Sequence, residues 1–402
     1  MARIALLIPA ETYRASDFTR AARHLGVEVV VVTDRPQVLS HLMGGRAVSV
    51  DLADAGATAD AVCRVDAEMG LDAVVAVDDA GVVGAALAAE RLGLQANAPA
   101  AVAATRDKVA QRDLFAAAEV PQPRYRVVAD TESAVAAATA IGTPVVVKAP
   151  GLSASRGVVR ADDAAAVRGA VHTIRGACAP SGPLLVEAFL PGAEIAVEAI
   201  LDAGTMTVVA VFDKPGAPQG PVFPETMLVT PSRQPPAILT AVEHAVAAAV
   251  SALGLRYGPV HAELRIGPGG EVAVLEVAAR TIGGLCSRTV RLATGRSLEE
   301  VVLAHASGID PGELARAGGA AGVVMLPVPR AGTFRSVDGV EAARAVPGVT
   351  GIELAVTAGT VVEALPRDGR YLGFVFAGAP TPGEVEAALG EAVACLTIVV
   401  DQ

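Results

Sequence analysis

Paired cysteines are missing from this chain, which has only four cysteines among 402 residues. Cys63, Cys178, Cys286 and Cys395 lie far apart, and no two of them have the short spacing that is typical of zinc ligands. The sequence therefore predicts buried free thiols and argues against disulfides or a zinc site.

Long apolar runs and a positive net charge are also missing. No apolar run looks long enough to cross a bilayer, and the opening residues, MARIALLIPAETYR, are too short for a signal peptide with its cleavage site. The formal net charge is −11, which argues against a general nucleic-acid binder. Hydrophobic residues make up 52% of the chain, as in a well-cored globular protein. We therefore expect a cytoplasmic protein that binds neither nucleic acid nor a membrane.

Lysine is scarce. Lysine and arginine together number 32, yet only Lys108, Lys148 and Lys214 are lysines. Arginine serves the general surface positions, so a remaining lysine could mark a site that needs a compact ammonium group. The alternative is that the three are chance survivors, and their surroundings must decide.

Strand and helix patterns alternate over residues 1–105, which predicts a parallel, doubly wound α/β sheet. The turn after the first strand, PAETYRASD, lacks the G-x-G-x-x-G fingerprint of dinucleotide-binding folds. This region is therefore Rossmann-like without an evident nicotinamide site. From about residue 318 the pattern changes to short strands, Gly/Pro turns and a final helix.

Two glutamates interrupt a predicted β-hairpin. The runs GPVHAELRI and EVAVLEVAAR are joined by the turn GPGG and carry Glu263 and Glu276. Side chains on one face of a strand repeat every two residues, so His261 shares a face with Glu263. If the hairpin is in register, both glutamates point into one cleft, where a divalent cation such as magnesium would relieve their repulsion. The alternative is a pair of solvent-facing glutamates on an amphipathic hairpin.

Lys148 ends the apolar strand PVVVK, and the loop GLSASRG follows it. A cation beside flexible backbone donors and the hydroxyls of Ser153 and Ser155 suits a polyphosphate. The loop is not a P-loop, because G-x-x-x-x-G-K-[ST] is absent.

Taken in order, these segments resemble the ATP-grasp superfamily, and within it the carboxylate–amine ligases that include L-amino acid ligases. The resemblance covers roughly residues 1–310. The segments that carry it are RDK, VVVKAPGLSASRGVV, LLVEAFLPGAEIAVEAI, DKPGAPQGPVFPET, HAELRI and LEVAARTIGG.

The resemblance implies an ATP-grasp fold, α/β (α+β) in class, that holds ATP between a lid subdomain and a metal-bearing subdomain. The expected divisions are a Rossmann-like domain at 1–105, an ATP-grasp domain at 106–317 with its lid at about 115–185, and a C-terminal subdomain at 318–402.

The resemblance also implies roles for individual residues. Lys108 and Lys148 would contact the ATP phosphates, and residues 151–157 would close over them, with Ser153, Ser155 and Gly157 as nucleotide-binding positions. The expected adenine hinge consists of Glu187, Ala188, Phe189 and Leu190. Glu194 would take the ribose hydroxyls, Glu263 and Glu276 would bind Mg²⁺ (with Mn²⁺ as a substitute), and Arg280 would steady the transferred phosphate.

The sequence departs from the commoner family pattern at one metal position. Where relatives often have E-x-N-x-R, this chain has Ala278 in place of the asparagine, so one metal contact is missing. Related ligases with E-x-x-A-R exist.

The implied reaction joins a carboxylate to an amine through an acyl phosphate and releases ADP and phosphate. Phosphoryl transfer needs positioning and charge neutralisation more than a reactive side chain. Small carboxylates and amines, such as amino acids, are the expected partners, and the chain could form a homodimer. Glu225 could receive an α-ammonium group, Arg288 and Arg291 a substrate carboxylate, and His261 faces the same cleft; each could equally be structural.

Two other functions stay open at this point. One is an ATP-grasp enzyme with a different acceptor, as in a biotin-carboxylase-like reaction. The other is a non-catalytic nucleotide-binding protein in which Ala278 marks lost activity.

Overall fold

The computed structural model describes residues 2–36, 45–179, 181–216 and 218–401. The N-terminal part contains a four-stranded parallel sheet in the order β3-β2-β1-β4, as the alternating pattern predicts. Its strands are β1 (Arg3–Leu7), β2 (Glu28–Thr33), β3 (Ala47–Ser49) and β4 (Ala73–Ala76). Its helices are α1 (Ala15–Leu25), α2 (Ala55–Met69) and α3 (Val82–Leu92). Apolar side chains of this sheet are buried on both of its faces.

Two short helices, α4 (Pro99–Thr105) and α5 (Lys108–Ala117), lead from this sheet into the rest of the chain. The second helix begins where it does because the Asp107 carboxylate accepts a hydrogen bond from the Val109 amide at 2.8 Å. This cap places Lys108 at the first position of the helix.

A smaller antiparallel sheet in the order β5-β8-β6-β7 forms the region expected to be the lid. Its strands are β5 (Tyr125–Val128), β6 (Val145–Lys148), β7 (Val158–Ala161) and β8 (Leu184–Ala188). The helices α6 (Thr131–Ile141) and α7 (Ala164–Ala177) bury their apolar residues against it.

The largest sheet has eight antiparallel strands in the order β13-β12-β9-β10-β11-β14-β18-β16. They are β9 (Ala193–Asp202), β10 (Thr205–Asp213), β11 (Met227–Thr230), β12 (Gly258–Ile266), β13 (Val272–Ala278), β14 (Ala320–Pro327), β16 (Val349–Leu354) and β18 (Tyr371–Ala379). One face packs on α8 (Pro236–Leu253), with Val197, Ala262 and Val277 among the buried residues. The opposite face is turned towards the N-terminal part and carries the polar groups described below.

Residues after 318 contribute three strands to this large sheet, so the C-terminal region shares a core with the preceding one. The remaining strands β15 (Gly332–Asp338), β17 (Val361–Val362) and β19 (Thr397–Asp401) form a small sheet of their own. The other helices are α9 (Leu298–Ala306), α10 (Val340–Arg344) and α11 (Pro382–Ala394).

Helix α8 is long and apolar enough to cross a membrane, by length and composition alone. The expectation that no run reaches this length is therefore corrected. One face of the helix, including Val242, Val246 and Val250, is buried in the core beneath the large sheet. Core helices pass the same length test, so this helix is weak evidence for a membrane.

Candidate active site

A cavity of about 290 Å³ lies between the lid sheet and the polar face of the large sheet. All three lysines of the chain, Lys108, Lys148 and Lys214, line it. The three lysines lie far apart in the sequence and meet on one cavity, as expected if the remaining lysines mark a site.

Lys108 and Lys148 approach the cavity from two different elements. The Lys108 ammonium donates to the Leu152 carbonyl at 2.7 Å and to the Glu276 carboxylate at 3.1 Å. Lys148 ends its strand with its ammonium 2.6 Å from the Glu187 carboxylate. Both predicted phosphate-binding lysines are therefore present on the wall of one cavity.

Glu187 is a buried anchor for Lys148. Its carboxylate also accepts from the Arg112 guanidinium at 2.6 Å, and the side chain is almost fully buried. Burial opposes its ionisation, but Arg112 and Lys148 more than offset this and lower the pKa of Glu187 to about 2. The carboxylate therefore stays charged and holds the lysine in place.

The predicted adenine hinge lines the cavity along its whole length, from Glu187 through Ala188 and Phe189 to Leu190. Two of its amides are already used: Ala188 donates to the Arg124 carbonyl at 2.8 Å and Phe189 to the Pro144 carbonyl at 3.0 Å. Adenine would therefore have to use other backbone groups of the hinge. The Arg160 guanidinium lies 4.2 Å from the centre of the Phe189 ring.

Glu263 and Glu276 face each other across the hairpin, as an in-register pairing requires. A register irregularity follows Glu263, and both glutamates line the cavity with side chains 28% and 26% exposed. Ala278 pairs with His261 two residues further along and also lines the cavity. The alternative of two solvent-facing glutamates is therefore wrong.

Lys214 occupies the centre of a second group of carboxylates. Its ammonium lies 2.8 Å from Glu194, 2.8 Å from Glu225 and 3.4 Å from Glu263. Oxygens of these three glutamates lie within 4.8 Å of one another, which is close enough to share a metal ion. Arg265 also pairs with Glu194, and His261 lies 3.4 Å from Glu263, so the cluster already has several cationic partners. Its hard oxygen donors are of the kind that fit a divalent cation.

The ionisation of Glu225 reflects its burial and its neighbours. Burial raises the pKa of this carboxyl, Lys214 opposes the rise, and the negative charges of Glu263 and Glu194 add to it, which brings the pKa to about 7. An added cation beside Glu225 would restore its charged form.

His261 is held by a buried carboxylate behind the cavity wall. Its Nδ1 lies 2.5 Å from Glu198, and Glu198 also accepts from the Ile282 amide at 2.9 Å. Burial alone would lower the pKa of His261, but Glu198 and Glu263 together raise it to about 9. The imidazole is therefore protonated at neutral pH, with Nε2 3.4 Å from Glu263.

Arg280 is fixed by a residue from the N-terminal part. Its guanidinium donates two hydrogen bonds to Asp79, at 3.0 and 3.1 Å, while Arg106 pairs with the same carboxylate at 2.8 Å. Burial opposes the charge on Asp79, but the two arginines hold the pKa of its carboxyl well below the usual range. Arg280 thus lines the cavity in a fixed position.

The loop at 151–157 covers one side of the cavity. Ser153, Ala154 and Ser155 of this loop line the cavity. Gly157 does not line the cavity but allows the turn: its φ is +63°, and a Cβ there would lie 2.9 Å from that of Ala149. The Gly157 amide donates to the Pro366 carbonyl at 3.0 Å, so the loop rests on the C-terminal region.

Two predicted substrate residues lie outside the cavity. Arg288 donates to Asp17 at 2.7 and 3.0 Å and also pairs with Glu353, so it joins the N-terminal and C-terminal regions. Arg291 is exposed beside Gly378. Their substrate role is withdrawn because neither guanidinium reaches the cavity.

Sequence reasoning missed Lys214, Asp79 and Glu198 as parts of the site. The scarcity of lysine is a signal for Lys214, although this residue precedes an irregular Pro/Gly-rich segment. Asp79 and Glu198 act through partners far away in the chain, and no local pattern marks them.

Comparison with known proteins agrees with the resemblance to ATP-grasp enzymes. Three family profiles match: "ATP-grasp N-terminal domain" at 19–95, "ATP-grasp domain" at 141–289 and "L-amino acid ligase C-terminal domain 2" at 324–401. Among solved structures, the L-amino acid ligase from Bacillus licheniformis is 25% identical with a TM-score of 0.84, and the match covers 100% of this chain and 99% of that one.

More distant structures share the fold. N5-carboxyaminoimidazole ribonucleotide synthetase from Thermotoga maritima is 18% identical, with a TM-score of 0.76 over 100% of both chains.

Sequence relatives match only part of the chain. A phosphoribosylamine–glycine ligase from Streptomyces coelicolor is 36% identical over 123 residues, which are 30% of this chain and only 28% of that protein. The curated relative from Allochromatium vinosum, of the same name, is 38% identical over 86 residues, 21% of this chain and 20% of its own length.

The fold, the site and these successive matches place the chain in the ATP-grasp superfamily, and its residues 324–401 match the C-terminal domain 2 of L-amino acid ligases.

Proposed function

We propose that the protein is an ATP-dependent carboxylate–amine ligase that forms an amide or peptide bond and releases ADP and phosphate. The observation that carries the proposal is the meeting of all three lysines, Arg280 and six glutamates on one cavity under the lid sheet. Phosphoryl transfer depends on this kind of charge placement.

The nucleotide would lie between the lid sheet and the large sheet. Lys108 and Lys148 would contact its phosphates, and the loop at 151–157 would cover them. The hinge from Glu187 to Leu190 would lie beside adenine. Glu194, which lines the cavity near Phe189, would take the ribose hydroxyls.

Glu263 and Glu276 would hold magnesium, because they face each other on the cavity floor and offer hard oxygen donors. Bound magnesium would neutralise phosphate charge. The same carboxylates suit Mn²⁺, which we propose as a substitute.

The reaction would proceed in two displacements. A carboxylate oxygen of the acid attacks the γ-phosphorus, and the bond to the β,γ-bridging oxygen breaks to release ADP. The amine nitrogen then attacks the acyl carbon, phosphate leaves with the bonding electron pair, and the nitrogen loses a proton. Arg280 would stabilise the charge that develops on the phosphate and acyl oxygens.

The substrates would be small carboxylates and amines, with amino acids as the leading candidates. Glu225 could accept an α-ammonium group because its carboxylate lines the cavity beside those of Glu194 and Glu263. His261 would keep Glu263 in place from behind.

The test is a matrix of amino acids and small carboxylates, with ADP, phosphate and condensed product measured together. We expect ADP and phosphate only when acid and amine are both present. Formation of AMP and pyrophosphate would contradict the proposal, and turnover with bicarbonate alone would favour a carboxylase. ATP binding without turnover on any pair would favour a non-catalytic protein.

A further inference from the structure

A fully buried arginine lies behind the active-site cavity. Arg14 immediately precedes helix α1, and its side chain has no exposed surface. It lies outside the group of described residues that line the cavity. Arginines are rarely buried in this way, because a charged group loses its hydration when it leaves water. The contacts of the Arg14 guanidinium therefore need an explanation.

The guanidinium joins two segments that come from different parts of the fold. Its Nη1 donates to the Val77 carbonyl at 2.8 Å, directly after strand β4 of the N-terminal sheet. Its Nη2 donates to the Thr281 hydroxyl, three residues after strand β13 of the large sheet ends. Thr281 is almost fully buried as well, so water does not compete for this hydrogen bond. Arg14 therefore links the chain just beyond the ends of two strands.

The same two segments carry the ion pair that holds Arg280 at the cavity. Val77 lies two residues before Asp79 in the first segment. Thr281 directly follows Arg280 in the second segment. The pair of Asp79 and Arg280 forms one bridge between the segments, and Arg14 forms another bridge behind it. Two bridges restrict the rotation of one segment against the other, whereas a single bridge would allow it.

The properties of a guanidinium explain why an arginine is useful here. Burial lowers the pKa of Arg14, and the nearby carboxylates of Glu299 and Asp78 oppose this effect. The guanidinium carbon lies 5.0 Å from the centre of the Phe18 ring, in surroundings where an apolar side chain could pack at no such cost. An apolar side chain would lack the planar fork of donors, which points in two fixed directions.

We propose that Arg14 is a positioning residue, which aligns the segments that carry Asp79 and Arg280 and so directs Arg280 at the transferred phosphate. This rests on the proposed ligase function, in which Arg280 stabilises the developing charge. A displacement of about 1 Å can cost about a hundredfold in rate, so a hydrogen bond outside the cavity can govern turnover. Nucleotide affinity should not depend on Arg14, because other residues line the nucleotide site.

Substitutions at Thr281 test this with little change in volume. Thr281→Val removes the hydroxyl that accepts from Arg14, and Thr281→Ser keeps it. Turnover is measured with the acid and amine pair that gives the highest rate in the matrix described above. We expect kcat to fall about tenfold in Thr281→Val and to stay near wild type in Thr281→Ser, with KM for ATP unchanged in both.

Thr58→Val is the matched control. Thr58 is also buried, and its hydroxyl donates a hydrogen bond to the Asp51 carbonyl at 3.1 Å, away from the cavity. Unchanged kcat in Thr281→Val, or an equal fall in Thr281→Ser or Thr58→Val, would overturn the inference. A raised KM for ATP with unchanged kcat would also overturn it. If Thr281→Val does not fold, Arg14→Lys, which keeps the charge and loses the fork, decides by the same measurement.

Crystal structures of the wild type and Thr281→Val separate this proposal from the ligase function. We expect the two hydrogen bonds from Arg280 to Asp79, at 3.0 and 3.1 Å, to lengthen or break in the variant. If they do but no acid and amine pair supports turnover, the positioning role stands and the ligase activity falls. If the wild type is an active ligase but the variant keeps both hydrogen bonds and its kcat, the ligase stands and the positioning role is wrong.

Discussion

Lys214 is a buried cation whose three carboxylate partners all face the cavity. Lys148, by contrast, pairs with a glutamate that keeps Arg112 as a second partner. We therefore expect the two lysines to contribute to different properties, Lys214 mainly to stability and Lys148 mainly to nucleotide binding.

We predict that Lys214→Ala lowers the free energy of unfolding by about 3 kcal/mol, because three partly buried carboxylates lose their common partner. Magnesium should restore part of this stability.

Lys148→Ala should unfold nearly as the wild type does but bind ATP about tenfold more weakly, since a charge-assisted contact is lost. Urea unfolding measures the stability of both variants, and calorimetry measures their ATP affinity. Wild-type ATP affinity in Lys148→Ala would refute the assignment of Lys148 to nucleotide binding.

The lowered pKa of Glu187 predicts how the stability of the protein changes with pH. Its pKa is lowered from 4.5 to about 2 in the folded protein, so its stabilisation is present above pH 4.5 and is lost as the pH falls towards 2. Wild type should exceed Glu187→Gln in stability by about 3 kcal/mol at pH 7, and the difference should shrink over that window.

Unfolding curves at several pH values measure this difference directly. Glu132→Gln is the matched control, because Glu132 forms an exposed pair with Arg168. A difference between wild type and Glu187→Gln that stays constant from pH 5 to about pH 2 would contradict a lowered pKa.

At the scale of elements, the loop at 151–157 depends on the C-terminal region for its position. A Cβ at Gly369 would lie 2.2 Å from the Ala154 carbonyl oxygen, which is impossibly close. Gly369→Ala should therefore displace the loop and increase the dissociation rate of ATP about tenfold.

Stopped-flow displacement of a fluorescent ATP analogue measures this rate. Gly151→Ala, in the same loop, is the control, because nothing lies within 4 Å of the added Cβ. Equal dissociation rates in Gly369→Ala and wild type would show that the C-terminal contact does not hold the loop.

The two glutamates of the hairpin β12–β13 predict how turnover depends on magnesium. Glu276→Gln keeps the shape of the side chain but removes its charge, so turnover should fall at least about a hundredfold while thermal unfolding stays unchanged. Glu263→Gln should also impair turnover, and by less if Glu263 holds one ion while Glu276 bridges two. The rate is measured against magnesium concentration, and near wild-type turnover of Glu276→Gln at low magnesium would refute the metal role of the hairpin.

At the scale of the whole molecule, local patterns predicted the elements and part of the site. Strand periodicity was enough to pair Glu263 with Glu276, because their register depends on one short turn. The ATP-grasp fold was also predicted correctly, from motifs in a fixed order. The pairing of Arg280 with Asp79 spans 201 positions, and no local pattern encodes a contact between two domains.

The order of elements also could not show how the C-terminal strands pair. The sequence predicts a C-terminal subdomain at 318–402, and in the structure β14, β18 and β16 of this region extend the large sheet. Met325 and Tyr371 reach the cavity through this extension, which depends on contacts between distant parts of the chain.

The central claim is that the acid is activated as an acyl phosphate. The most direct test supplies an acid labelled with oxygen-18 in its carboxylate, together with ATP, magnesium and an amine, and analyses the products by mass spectrometry. The account predicts one labelled oxygen in each inorganic phosphate, with ADP formed in equal amount. Unlabelled phosphate alongside an amide product, or the label in AMP, would contradict it.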